Sequence, residues 1–362
     1  LRRAGFVRWR EQERQAADIL TNLGVNISAK KKMRELSVPE IQMVEIAKTI
    51  SRGARIIIMD EPTSTITEAE VCKLFAAIKR LCEQGIAIIY ISHKMDELFQ
   101  ISTRVTVLRD GNLIGTYRIE DVSQHDLVRM MVGREITELY PPSKAELGDV
   151  ILSVRHLTRE KEFYDVSFDL RRGERFGIAG LIGAGRSEMV MSIFGERKPS
   201  CGEILLNGKK ITIHSPREAI RNKIALITED RKRYGLNLIA SARDNIVTVI
   251  EGKLSRFGFF TRRKADTIVE RMIKKLDIKV SSPKQIVGYL SGGNQQKVVL
   301  AKWLAEDIDI FIFDEPTRGI DVGAKAEIYK IINDLVARGK GVILISSELP
   351  EMIGMCDHMI VL

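Results

Sequence analysis

Residues Leu290 to Lys297 read LSGGNQQK, and the apolar run Ile308 to Phe313 that follows ends in Asp314, Glu315 and Pro316. A Ser-Gly-Gly turn that opens a helix presents bare backbone N–H groups and the positive end of the helix dipole, which together suit a phosphate. Acids at the end of a buried strand suit a magnesium ion and an attacking water. A glycine pair alone would say little. Here the whole arrangement occurs twice.

Leu36 and Ser37 stand 254 residues before Leu290 and Ser291, and the same offset carries Ala47-Lys48 onto Ala301-Lys302 and Asp60 to Thr63 onto Asp314 to Thr317. It continues without a gap through Leu81 and Leu335, Gly85 and Gly339, Ser92 and Ser346. Two copies of one domain are therefore present. Each has a short apolar run, Ile56 to Met59 in the first copy, that reads as a buried parallel strand ending in acids. A helix over Glu68 to Glu83 and a second strand over Ile86 to Ile91 follow, the layout in which open α/β sheets bind ligands.

Further predicted elements frame this repeat. A helix is expected over Val7 to Leu23, ended near Gly24, and another from Ser37 with Pro39 in its first turn. Val105 to Leu108 and Leu113 to Tyr117 read as a hairpin about Asp110-Gly111, with a helix around Leu127 to Val132 beyond it. Pro141-Pro142 marks a linker over 140–149, between a first domain over 1–139 and a second over 150–362. The second copy opens with Val150 to Val154 and Val166 to Leu170 as antiparallel strands. A first copy of the same plan would need about a hundred further residues ahead of Leu1, and the chain closes in an apolar strand over Met359 to Leu362, so it reads as a piece of a longer protein.

At 362 residues the chain is long enough for two cores, and 44% hydrophobic with 29% charged residues describes ordinary globular protein. No apolar run approaches the ~18 residues of a membrane-spanning helix, and the opening Leu-Arg-Arg reads as no signal peptide. The net charge of +9 comes from bases interspersed with acids, which fits a solvated surface better than a nucleic-acid face. Cys72, Cys82, Cys201 and Cys356 show no metal-ligand spacing and are expected as buried or half-buried thiols of a reducing compartment.

In the second copy, Arg175 to Ala179 reads as a strand that Gly180 to Ser187, GLIGAGRS, turns into a helix. Glycines at Gly180, Gly183 and Gly185 let the backbone, with Leu181, Ile182 and Ala184, curl round phosphate oxygens. Position 186 puts a cation between the outer phosphates, and Ser187 offers a hydroxyl to magnesium. Arg186 stands where this pattern has Lys, which alters the point charge aimed at the transferred group.

The pair of signature-like and acid-ended segments, with this phosphate loop, resembles the ATP-binding cassette (ABC) family. Fused copies, LSGGNQQK only in the second, GAGRS, and the stretch TEDRK at 228–232 together resemble the ATPase subunit of bacterial monosaccharide importers of the ribose, galactose and xylose type. The resemblance implies an α/β fold of tandem nucleotide-binding domains, each a P-loop NTPase core with an antiparallel β subdomain and a helical subdomain, the first copy incomplete. ATP and Mg2+ are the implied cofactors. Asp60 and Asp314 would share the magnesium shell with Ser187, Glu61 and Glu315 would be the bases for water, and His93 would contact the γ phosphate. Glu229 falls where the family has a glutamine that touches magnesium and the membrane partner, and Ser347 where the first copy has His93. Phe163 and Tyr164 are the aromatics available for adenine, core packing being as good a reading of either.

The resemblance further implies that each ATP lies between the phosphate loop of one copy and the signature of the other. Ser291, Gly292, Gly293, Asn294 and Gln295 would then serve Asp60, Glu61 and His93. The loop Gly180 to Ser187 would face Leu36 to Glu40, where Pro39 lacks an N–H and Glu40 adds a negative charge. The expectation is one hydrolysing site and one that holds ATP poorly suited to turnover, with this chain by itself impaired as an ATPase. Implied partners are an integral permease, bound from the cytoplasmic face of the inner membrane, and through it a periplasmic sugar-binding protein; the segment Leu236 to Val249 would dock the permease. A twin-cassette ATPase acting on ribosomes or DNA is the alternative, against which the short Pro-containing link speaks.

Overall fold

A computed structural model describes residues 2–3, 6–63, 68–92, 94–109, 111–132, 140–142, 145–181, 183–256, 259–320 and 322–362. The chain forms two compact units, Leu1–Ile136 and Thr137–Leu362.

In the first unit, α1 (Trp9–Asn22) is closed by Gly24, whose φ of 73° is the left-handed conformation that ends helices. α2 (Val38–Ile50) follows, then β1 (Ile56–Asp60), α3 (Glu68–Glu83) and β2 (Ala87–Ile91). Leu20, Leu23, Ile46, Ile57, Met59, Leu74, Ile78 and Leu81 close one core between these helices and one face of the parallel pair. After α4 (Met95–Ile101), the hairpin β3 (Arg104–Arg109) and β4 (Asn112–Arg118) packs Val105 and Val107 against Leu127 of α5 (Gln124–Val132).

The second unit has two sheets. β5 (Val150–Arg159), β6 (Phe163–Arg171), β8 (Cys201–Leu206) and β9 (Lys209–Ile211) form the antiparallel sheet, in the order β9-β8-β5-β6. β7 (Arg175–Ala179), β10 (Ile224–Ile227), β11 (Ile310–Asp314), β12 (Gly341–Ile345) and β13 (His358–Val361) form a parallel sheet in the order β10-β11-β12-β7-β13. Its central strands are buried throughout, which their unbroken apolar runs require. Among its helices are α6 (Arg186–Ile193), α7 (Ala242–Val247), α8 (Arg262–Lys275), α9 (Gly292–Leu304), α10 (Val322–Val336) and α11 (Leu349–Met355). One continuous core joins both sheets to these helices.

The repeat read in the sequence reappears in the strand register. Ile56 pairs with Ala87 and Asp60 with Ile91, as Ile310 pairs with Gly341 and Asp314 with Ile345. The units differ in what covers those strands. Ile58 is 66% exposed, with Ile56, Ile89 and Ile91 also open, whereas Ile312 is fully buried together with Ile310, Ile343 and Ile345. Tyr140 and Pro141, read as part of the link, sit on the second unit. Tyr140 packs on Tyr329, and the Pro141 carbonyl accepts from Asn333 at 2.8 Å. The cysteine expectation fails at three positions: Cys72, Cys82 and Cys201 are exposed thiols, because they lie on solvent-facing turns of α3 and at the start of β8, and only Cys356 is half-buried.

Candidate functional site

β12 lies between β11 and β7, so three loops of the second unit converge at the carboxyl ends of adjacent strands. From β7 the chain turns through Gly180 to Gly185 into α6. Gly183 and Gly185 hold φ of 86° and 87°, and a Cβ on Gly185 would strike the Glu162 carbonyl oxygen. Leu181 is exposed at the crest of the loop, and Ile182 lies outside the described residues. Arg186, at the first turn of α6, is nearly buried. Its guanidinium donates to the Ser346 carbonyl at 2.8 Å and lies 3.6 Å from the Glu315 carboxylate. The cation at this position is thus turned toward the strand ends β11 and β12.

Asp314 ends β11 and is 1% exposed. Burial pushes its carboxyl up to about 6, against the pull of a Ser187 hydrogen bond and the Arg186 charge. One of its oxygens, Oδ1, is buried without a hydrogen-bond partner. Glu315 adopts φ of 49°, and its N–H donates to the Ile345 carbonyl at 2.9 Å, so the strand breaks there and its side chain swings towards Ser347, whose hydroxyl donates to it at 3.2 Å. Burial raises the Glu315 carboxyl to about 7, with Arg186 and Ser347 pulling the other way. Arg186 and Ser347 thus engage this carboxylate directly and fix it at the strand end.

The first unit repeats the backbone of this turn. Glu61 has φ of 44°, and its N–H donates to the Ile91 carbonyl at 2.9 Å. Asp60 and Glu61 are exposed at the end of β1. His93 lies outside the described residues.

The two helix starts expected to meet phosphate are unlike. At α9, Ser291 caps the helix, and Asn294 donates to the Ser291 hydroxyl at 2.9 Å and accepts from the Lys279 N–H at 2.7 Å. No carboxylate is part of that turn, and Ser291, Gly292 and Gly293 keep surface exposure. At α2 the Glu40 carboxylate accepts from the Ser37 N–H at 2.7 Å, which holds it well below the usual range, with the Lys31 ammonium 3.1 Å away. That helix start already carries its own anion.

Three further residues singled out from the sequence have defined surroundings. Gln295 is 4% exposed and donates inward to the Val287 carbonyl at 3.2 Å, so it braces the turn before α9 instead of facing outward with Ser291. Phe163 is buried core, stationed where β6 packs on the second sheet, while Tyr164 is exposed. Glu229 forms an ion pair with Arg318, in the loop after Thr317. Arg231, which motif reading passed over, donates to the Arg318 carbonyl at 3.1 Å and lies against Gly292, so the segment after β10, the loop after β11 and the start of α9 share one cation. Two buried carboxylates, Glu97 and Glu351, were also missed, although they stand at the same 254-residue offset as the motifs.

One family profile, described as ABC transporter, matches residues 2–64 and 163–318. The chain belongs to the ABC transporter family. It is 49% identical over 359 residues to a protein of Geobacillus kaustophilus (strain HTA426) named for ribose/galactose/methyl galactoside import ATP binding, which covers 99% of this chain and 71% of that one. It is 47% identical over 359 residues to the ribose import ATP-binding protein RbsA of the same strain, covering 99% and 73%. Among solved structures it is similar to RNase-L Inhibitor, with a TM-score of 0.62 at 20% identity over 96% of this chain and 65% of that one, a likeness of fold alone. The α/β cassette fold and the ATPase class expected from the motifs are thereby shown, and ATP is the nucleotide of the family.

Proposed function

We propose that this ATPase powers import of a monosaccharide of the ribose or galactose class through an integral permease, seated on the cytoplasmic face of the inner membrane, with a periplasmic binding protein delivering the sugar. The observation that carries this reading is the likeness over 99% of the chain to relatives whose names specify ribose and galactose import. No helix among the described residues is long and apolar enough to cross a membrane, so the membrane role falls to a partner. Exposed Tyr234, Ile239 and Tyr289, in and beside the Leu236 to Val249 stretch, offer the apolar surface such a partner would cover.

In this reading the backbone of Gly180 to Gly185, including Ile182, cradles the phosphates, and Arg186 and Ser187 complete the loop. Magnesium fits the residues present: a buried carboxylate oxygen of Asp314 without a partner and the Ser187 hydroxyl beside that carboxylate are hard oxygen donors, and phosphate oxygens would supply others. When bound, the ion neutralises charge on the transferred phosphoryl group. Asp60 has the corresponding place in the first cassette. Glu61 orients and deprotonates water there, with His93 on the γ phosphate, and this first set drives turnover. Glu315, paired with Arg186 and Ser347 instead of a histidine, holds nucleotide with little hydrolysis. Ser291, Gly292, Gly293 and Asn294 form a phosphate-ready helix start, whereas Glu40 fills its counterpart. Glu229, paired with Arg318, serves the link between nucleotide loops and permease. Residues 1–139 and 150–362, joined by 140–149, are the two cassettes.

The test is co-expression with a permease of this class and reconstitution into vesicles. ATP hydrolysis stimulated by the sugar-loaded binding protein is expected. Recovery with ribosomes or DNA and indifference to the permease would contradict the reading.

A further inference from the structure

Glu97 is 6% exposed, yet it accepts hydrogen bonds from the Thr63 hydroxyl at 2.6 Å, the Tyr90 hydroxyl at 2.7 Å and the Ser92 hydroxyl at 3.0 Å, and lies 3.3 Å from the Lys94 ammonium. Thr63 lies two residues past Glu61, and Ser92 immediately precedes His93 in the sequence. In the other unit Glu351, fully buried, accepts from the Thr317 hydroxyl at 2.9 Å and from the Ser346 hydroxyl. One carboxylate in each unit therefore ties the ends of the two parallel strands at the level of the acid pair.

The two ties share their essentials and differ in their accessories. Tyr90 reaches Glu97 from β2, where the second unit has Leu344; Tyr329, on α10 where the first unit has Phe75, is buried with its hydroxyl outside hydrogen-bond geometry to Glu351. The carboxylate, the threonine and the serine stay, while among the described residues the aromatic hydroxyl bonds the carboxylate in the first unit alone. In the second unit the tie closes a ring: Ser346 to Glu351, Ser347 to Glu315, and Arg186 to both Glu315 and the Ser346 carbonyl. A buried carboxylate with so many donors is a rigid node, because each lost donor leaves charge in a dry environment. In the first unit a cation lies directly against the tie, with the Lys94 ammonium 3.3 Å from Glu97. Lys94 also donates to the Thr63 carbonyl at 3.2 Å, whereas its counterpart, Glu348, pairs with Lys325.

We propose that Glu97 is a positioning residue for hydrolysis: through Thr63 and Ser92 it locks the segment after Glu61 to the end of β2, so that the two strand ends keep one spacing. Glu351 holds the same tie in the cassette that retains nucleotide. The proposal rests on the reading that Glu61 and His93 serve turnover. Misplacement by an ångström is enough to slow chemistry while leaving binding intact.

The experiment uses the full-length protein assembled with its permease and reads kcat and KM for ATP together with Tm. Glu97→Ala is expected to lower kcat by about 10- to 100-fold with KM within about threefold. Glu97→Gln, which keeps an acceptor oxygen and lets the hydroxyls rotate, is expected to recover to within about fivefold of the parent. Leu98→Ala, a buried neighbour without polar partners, is expected to lower Tm with kcat unchanged. If Glu97→Ala fails to fold, Thr63→Val removes one arm of the tie and is expected to lower kcat about threefold or more. The tie is overturned if Glu97→Ala, or Thr63→Val in its place, turns over like Leu98→Ala, or if KM rises while kcat holds. Glu61→Gln in the same assay separates the two levels: turnover persisting there contradicts the underlying reading, whereas its loss with unaltered Glu97→Ala contradicts the tie alone.

Discussion

Gly185 sets the shape of the turn from β7 into α6, the proposed phosphate loop, since its φ of 87° and the Glu162 carbonyl beside it leave no room for a side chain. Gly185→Ala is expected to weaken ATP binding more than about tenfold and to cost about 1–3 kcal/mol of stability, measured by nucleotide titration and denaturant unfolding. Lys302 presents the opposite case, a charge placed where water is scarce. Its amine, pushed down to about 8 by burial, donates to the Gly235 carbonyl at 2.7 Å. Folded chains lose that proton near pH 8, while unfolded chains keep it to about 10.4, so between these values the unfolded state binds more protons and stability rises with pH. Lys302→Met should remove that rise, visible as a flatter dependence of unfolding free energy on pH from about 8 to 10.4. A slope unchanged by the substitution would show that the amine is not desolvated.

At the scale of elements, the ion pair Glu229–Arg318 and the Arg231 bonds tie the turn after β10 to the loop after β11. Because the pair is part-exposed, its weight lies in holding two loops in register more than in net stability. Arg318→Glu is expected to reduce permease-stimulated hydrolysis severalfold, and the exchange Glu229→Arg with Arg318→Glu to restore it, a coupling of about 0.5–3 kcal/mol in a double-mutant cycle. Absence of restoration would assign the two residues separate tasks. These elements also show what a sequence discloses. Strand, helix and acid pair were legible because periodicity and the fixed offset of 254 record local structure twice. The inward turn of Gln295 onto Val287 and the Arg318 partner of Glu229 were not, since the first depends on how the turn before α9 is packed and the second on segments distant in sequence meeting at strand ends. Glu97 and Glu351 lay in plain view at the repeat offset, but a charged residue on an amphipathic helix reads as solvent-facing until its buried partners are known. The cysteines erred the same way: burial of small thiols is a tendency, and α3 turns two of them outward.

At the scale of the whole molecule, one duplication has produced unequal halves. The second unit seals its acid pair under a phosphate loop, with Arg186 and Ser347 as companions, and leaves the start of α9 free of carboxylate. The first ties the ends of its parallel strands through Glu97 and Lys94 and fills the start of α2 with Glu40. In the proposed function, turnover belongs to Glu61 and retention of nucleotide to the loop Gly180 to Ser187. The direct measurement is steady-state ATP hydrolysis by full-length protein in complex with its permease, carrying Glu61→Gln or Glu315→Gln. Glu61→Gln is expected to lower kcat by about 10²-fold or more, and Glu315→Gln by no more than about threefold. Loss of turnover with Glu315→Gln and its survival with Glu61→Gln would contradict the account.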